Sequence, residues 1–162
     1  MARIPPIWNN NPAPALEAAF RHIAATRMAG LPIANPMLAV EAVAFRRYEK
    51  SGHWLGVLIT PWAINLLLLP APGAPWPAAG PGGKHTWHFP SGDYEFTIAG
   101  EEALGTYHLC SLFSPPAEFH SQEEARQTAY AVLAALMLEG GDAAPSPASG
   151  VSGRRAFLGL GR

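Results

Sequence analysis

WLGVLITPWAINLLLLP, residues 54–70, decides the fold. It lies inside a longer stretch, 54–83, that holds no Lys, Arg, Asp or Glu. A membrane-spanning helix wants about 20 apolar residues in a row. This run has 17, and Pro61 and Asn65 interrupt it. It therefore reads as two apolar strand segments, 54–60 and 62–69, broken or bulged at Pro61, where the ring removes a ladder donor.

Strand signals continue on both sides. VEAVAFRRYE (40–49) sets Val43 and Phe45 against Ala44 and Arg46, an alternation that predicts one shared face for the first pair. KSGH (50–53) is a turn. Downstream, residues 71–83 form a Pro/Gly loop without periodicity, and KHTWHFP (84–90) and YEFTIAG (94–100) flank a tight SGD turn, a hairpin signal. TYHLCSLFS (106–114) is a further strand.

Helices are predicted at the two ends of this run. Over 11–30, Leu16, Phe20 and Ile23 fall on one stripe, Pro12 and Pro14 suit a first turn, and Gly30 and Pro32 end it. Over 121–138, Ser121 caps the start with Glu124 three residues on. Ala125, Ala129, Val132, Leu133 and Leu136 line one stripe there, and Gly140 and Gly141 stop it. The expected fold class is α+β: about five strands, mostly antiparallel, with both helices packed on one face. The expected division is one domain over 1–139, then a flexible linker and tail over 140–162.

Composition narrows function. The formal net charge is −1 and only 14% of residues are charged, which argues against a nucleic-acid binder. The charge is uneven: residues 84–142 carry nine acids against Lys84 and Arg126, a net of −7, while 143–162 carry three Arg and no acid. Cys110 is the only cysteine, so an internal disulfide and a Cys-cluster metal site are excluded. The start, MARIPPIWNNNPAP, has no apolar segment of the secretory kind, so a cytoplasmic location is expected.

Enzyme signatures do not emerge. There is no GxGxxG, Walker loop, HExxH or GxSxG in the required context. His108 and Cys110 share a strand face, yet neighbours on one strand stand side by side and rarely aim at one substrate atom. A cysteine in an apolar strand is usually a packing residue. His85 and His88 point to opposite faces, and His22, His53 and His120 are scattered, so no metal and no cofactor is expected. Trp54, Trp62, Trp76 and Trp87 suit a core or the roof of a peptide groove.

The tail carries its own signal. Residues 140–153, GGDAAPSPASGVSG, have linker composition, and Arg154, Arg155, Phe157 and Leu158 follow in RRAFLGL. Adjacent arginines before apolar residues have the order of a twin-arginine export signal, but such signals stand at the N-terminus, ahead of an apolar segment. Two guanidinium groups seek carboxylates in fork geometry, and Phe157 and Leu158 seek an apolar pocket.

TPWAINLLLLP (60–70), FPSGDYEF (89–96), CSLFSPPAEF (110–119) and the terminal RRAFLG resemble the HybE/HoxT/HupJ family of NiFe-hydrogenase assembly chaperones. The resemblance runs from about residue 10 to 140, with the tail as an extra match. It implies a cytoplasmic maturation protein, not an enzyme, that binds the hydrogenase small subunit and its twin-arginine signal until assembly is complete. Other maturation proteins, including a rubredoxin, are implied as partners. Matched to the family blocks, the implied client-binding residues are Trp62 and Asn65; Pro90, Gly92, Tyr94 and Phe96; and Cys110, Phe113, Ser114, Pro115, Glu118 and Phe119. The tail is then expected to mimic the signal and occupy its groove, in the same chain or in a neighbouring copy. The alternative is a redox or iron–sulfur-handling role with Cys110 as the working thiol.

Overall fold

A computed structural model describes residues 7–139. The element order is α1 (Ala13–Ala25), β1 (Glu41–Tyr48), β2 (His53–Ile59), β3 (Ile64–Leu69), β4 (Lys84–Phe89), β5 (Gly92–Glu101), β6 (Gly105–Phe113) and α2 (Gln122–Leu136). The strands form one fully antiparallel sheet in the order β1-β2-β3-β6-β5-β4. The class is α+β as expected, with six strands rather than about five. Pro61 does break the apolar run, since β2 ends at Ile59 and β3 begins at Ile64.

The helices do not share a face. α1 buries Leu16, Phe20 and Ile23 with Leu58, Leu67, Leu69 and Tyr107. α2 buries Ala125, Ala129, Val132 and Leu136 with Val57, Ile59, Leu66, Leu68 and Cys110. Successive side chains of a strand point to opposite faces, so a strand covered on both sides reads as a continuous apolar run. That is why Leu66–Leu69 are all buried and why LGVLI shows no alternation. The expectation of both helices on one face is overturned by this two-sided cover.

Val43 and Phe45 also part company. The register slips between Val43 and Arg46, and Ala44 adopts φ 57°. This bulge sends Val43 to the α2 side and Phe45 to the α1 side. Phe45 lands over Gly56, where only a residue without a β-carbon leaves room for its ring.

α1 is shorter than its sequence signal. It stops at Ala25, and Met28 N–H donates to the carbonyl of Ile23 (2.9 Å) as the chain turns toward Gly30, φ 73°. At α2, Ser121 Oγ accepts from Glu124 N–H (3.1 Å), as a capping box requires. The Glu124 carboxylate reaches back to His120 N–H (2.7 Å). Arg126 and Gln122 tie α2 to Glu41 of β1, holding the Glu41 carboxyl below its usual range against the opposing effect of burial.

Candidate functional site

Register brings the three sequence blocks to one end of the sheet. Glu41 pairs with Ile59, Ile59 with Ile64, and Ile64 with Phe113, so β1 and β3 begin where β2 and β6 end. Continuing the β5–β6 register sets the start of β5, and with it the Pro90–Ser91 turn, at the same end. The 60–63, 90–92 and 114–120 loops therefore emerge together.

Asn35 knits that end and carried no sequence signal. Its buried side chain donates to the carbonyls of Pro116 and Phe119 (2.9 Å each) and accepts from Met37 N–H (2.9 Å). Its own N–H donates to the carbonyl of Pro61 (2.7 Å). One amide thus joins the 31–39, 60–63 and 114–120 segments. On either side of it, Ile33 and Met37 are 55% and 58% exposed, unusual for residues of that kind.

The expected site residues divide by burial. Tyr94, Phe96, Cys110 and Phe119 lie in the α2-side core. Tyr94 shares a hydrogen bond with Ser91 Oγ (2.6 Å), and burial pushes its phenol pKa up. Phe113 is half-buried and meets Phe119 edge-on with ring centroids 4.9 Å apart. Ser114, Pro115 and Glu118 are exposed, and the Ser114–Pro115 bond is cis. Pro90 and Gly92 are half-buried at the hairpin turn, where Ser91 N–H donates to the carbonyl of Leu136 (3.1 Å). Trp62 is half-buried against the α1 cluster. Asn65 lies across from Leu58 and Ser111 and its Oδ1 is buried without a hydrogen-bond partner among the described residues. So Ser114, Pro115 and Glu118 are exposed at this end, Trp62 and Phe113 are half-buried there against the two cores, and the buried members lie beneath them. Arg154, Arg155, Phe157 and Leu158 lie outside the described residues.

Cys110 is 2% exposed, which closes it to thiol exchange in this conformation. Among the described residues no three His, Cys, Asp or Glu side chains are placed to hold a metal ion, and no helix is long and apolar enough to cross a membrane.

The histidines are less scattered than their spacing suggests. His53 and His108 are fully buried on the α2 side. His53 Nδ1 accepts from Ala71 N–H (3.0 Å), so its Nε2–H donates to the carbonyl of Pro75 (2.7 Å). Those two bonds fold the 71–76 segment back and set Trp76 between His53 (4.9 Å between ring centroids) and His108 (4.3 Å). Trp87 Nε1–H donates to His108 Nδ1 (2.9 Å), which places the His108 proton on Nε2. Burial, with the nearby His85 and His53, lowers its pKa to about 4. Strand alternation could have shown His85, Trp87 and Phe89 on one face; nothing in the Pro/Gly loop announced Trp76.

Comparison with known proteins agrees with this architecture. A family model described as [NiFe]-hydrogenase assembly, chaperone, HybE matches residues 11–160. The hydrogenase expression/formation protein HoxT of Azotobacter vinelandii is 46% identical over 145 residues, covering 89% of this chain and 92% of that protein. A Rhodobacter capsulatus protein named "Probable rubredoxin HupJ" is 43% identical over 122 residues, and this chain spans 75% of itself but 43% of that longer protein. The solution structure of HybE from Escherichia coli superimposes with a TM-score of 0.66 at 29% identity, covering 85% of this chain and 83% of that one. The chain belongs to the HybE family of NiFe-hydrogenase assembly chaperones.

Proposed function

We propose that this chaperone holds the hydrogenase small subunit in the cytoplasm, together with its twin-arginine signal, and delays export until maturation is complete. One observation carries the reading. Blocks separated by tens of residues meet at one end of the sheet, and that end leaves Ile33 and Met37 uncovered on either side of Asn35, which bonds Pro61, Pro116 and Phe119. Apolar anchors ringed by polar groups are what a protein-binding surface needs. Glu101 and Glu102 on the β5–β6 connection, away from that apolar end, suit the signal's arginines, and there the chain's own Arg154–Leu158 competes with the signal while the apolar end takes the body of the subunit. The rubredoxin named in one relative supports a rubredoxin as a second partner. The buried position of Cys110 weighs against the thiol-based alternative.

Calorimetric titration tests this. A small-subunit signal peptide is added to the full chain and to the Arg154→Ala/Arg155→Ala chain, beside a control peptide with both arginines changed to lysine. Binding of the arginine peptide, tighter in the variant chain, is expected. Equal binding of both peptides, or of neither, would sink the reading.

A further inference from the structure

At the end of the sheet away from Trp62, α1 and the β5–β6 hairpin enclose a groove of about 840 Å³. Ala15, Ala18, Ala19 and Ala103 floor it, and Glu101 and Glu102 stand on the hairpin side. The groove already holds one guanidinium: Arg27 Nη2 lies 2.8 Å from Glu101 Oε2. Arg27 is 62% exposed while Glu101 is only 22% exposed, so the cation reaches in from solvent to a largely covered carboxylate. The last turn of α1, with the carbonyls of His22 and Ile23, ends here as well, and a helix C-terminus favours positive charge.

We propose that this groove docks the chain's own residues 154–158, with Arg154 or Arg155 replacing Arg27 on Glu101 and the following small and apolar residues lying on the alanine floor. Charge selects this groove over one between β1 and α2. The β1–α2 groove is lined by Arg46 and no carboxylate, so it repels an arginine pair. A solvent-exposed ion pair contributes little and exchanges readily, so Arg27 is a replaceable occupant. Reach is adequate: the Leu136 carbonyl accepts from Ser91 at the start of β5, Glu101 ends that ten-residue strand roughly 30 Å away, and fourteen residues can extend to about 48 Å. Tethering puts the segment near its groove at a concentration of millimolar order. Arginine-rich client signals would meet the same carboxylates, and that extension rests on the function proposed above.

The test needs no client, so its failure is separate from failure of the client titration. Amide spectra of the isotope-labelled full chain are compared with those of the Arg154→Ala/Arg155→Ala chain. Shifts at Ala18, Ala19 and Ala103 are expected, unchanged on tenfold dilution. In the Glu101→Gln full chain, the Arg154 and Arg155 signals should move to their positions in a free peptide of residues 150–162. Shifts confined to 140–162, or centred on Tyr130 and Met137 or on Trp62 and Met37, would overturn the assignment. Shifts that fade on dilution would overturn docking within one chain in favour of a second copy.

Discussion

The ring of Phe45 occupies the space that a β-carbon on Gly56 would take, its Cγ only 2.4 Å from that position. The bulge at Ala44 and the glycine at 56 are therefore two parts of one arrangement, one turning the ring to the α1 side and the other making room for it.

Gly56→Ala should cost about 3 kcal/mol, because the clash falls on the root of an aromatic ring packed in the core rather than on a mobile side-chain end. The melting temperature should fall by roughly 10 °C. Adding Phe45→Leu should recover part of the loss, since the two residues touch and their effects do not add. Thermal melts of the two single variants and the double would check it. Equal losses in Gly56→Ala with and without Phe45→Leu would refute the coupling.

The same pair shows what a sequence can carry. The apolar run at 54–70 fixed strands rather than a span because Pro61 and Asn65 cut it, and the break lies where they sit. Ser121 and Glu124 marked α2 because caps are local chemistry. Phe45 does not share the face of Val43, as alternation predicts, because a bulge leaves no local mark when it falls on alanine. Helix placement was missed because runs such as Leu66–Leu69 are compatible with cover on both sides, yet propensity does not say which helix goes where. Of the site, the convergence of three blocks needed the strand order. Asn35 was invisible because its partners are 81 and 84 residues away.

Asn35→Ala should lower stability by about 2 kcal/mol, because two buried carbonyls and one N–H lose their partner together. Asn35→Asp should be worse, as it sets a carboxylate beside the carbonyls of Pro116 and Phe119. Denaturant midpoints for the two variants give the order. A neutral Asn35→Ala would mean water replaces the amide fully.

Stability should fall as the solution is acidified below neutral. His108 keeps its proton off Nδ1 and titrates only near pH 4 when folded, whereas an unfolded histidine takes up a proton near pH 6.5. The unfolded chain therefore binds more protons between about pH 6.5 and 4, so the stability is full above that window and is lost through it, by up to about 3 kcal/mol. His53 is lowered too, chiefly by burial, and acts in the same sense. His108→Gln keeps an acceptor for Trp87 and removes the titration. Urea unfolding from pH 7 to 4 should show a shallower decline in that variant, and parallel curves would exclude His108 as a source.

Ile33 and Met37 separate binding from folding. Both are more than half exposed and lie outside both core clusters, so Ile33→Asp and Met37→Asp should change stability by only about 0.5 kcal/mol. If they anchor the client, each should weaken its binding about tenfold or more, the effect of removing an apolar contact at the centre of an interface. Tyr130 is equally exposed but lies on α2, beside the β1 groove, so Tyr130→Asp serves as the control. Titrating the signal-bearing small subunit into the three variants decides the matter. Loss in the first two with none in Tyr130→Asp assigns the client to the Trp62 end of the sheet. Equal loss in all three would mean that any exposed apolar residue serves, and the convergence of the three blocks there would have only a folding role.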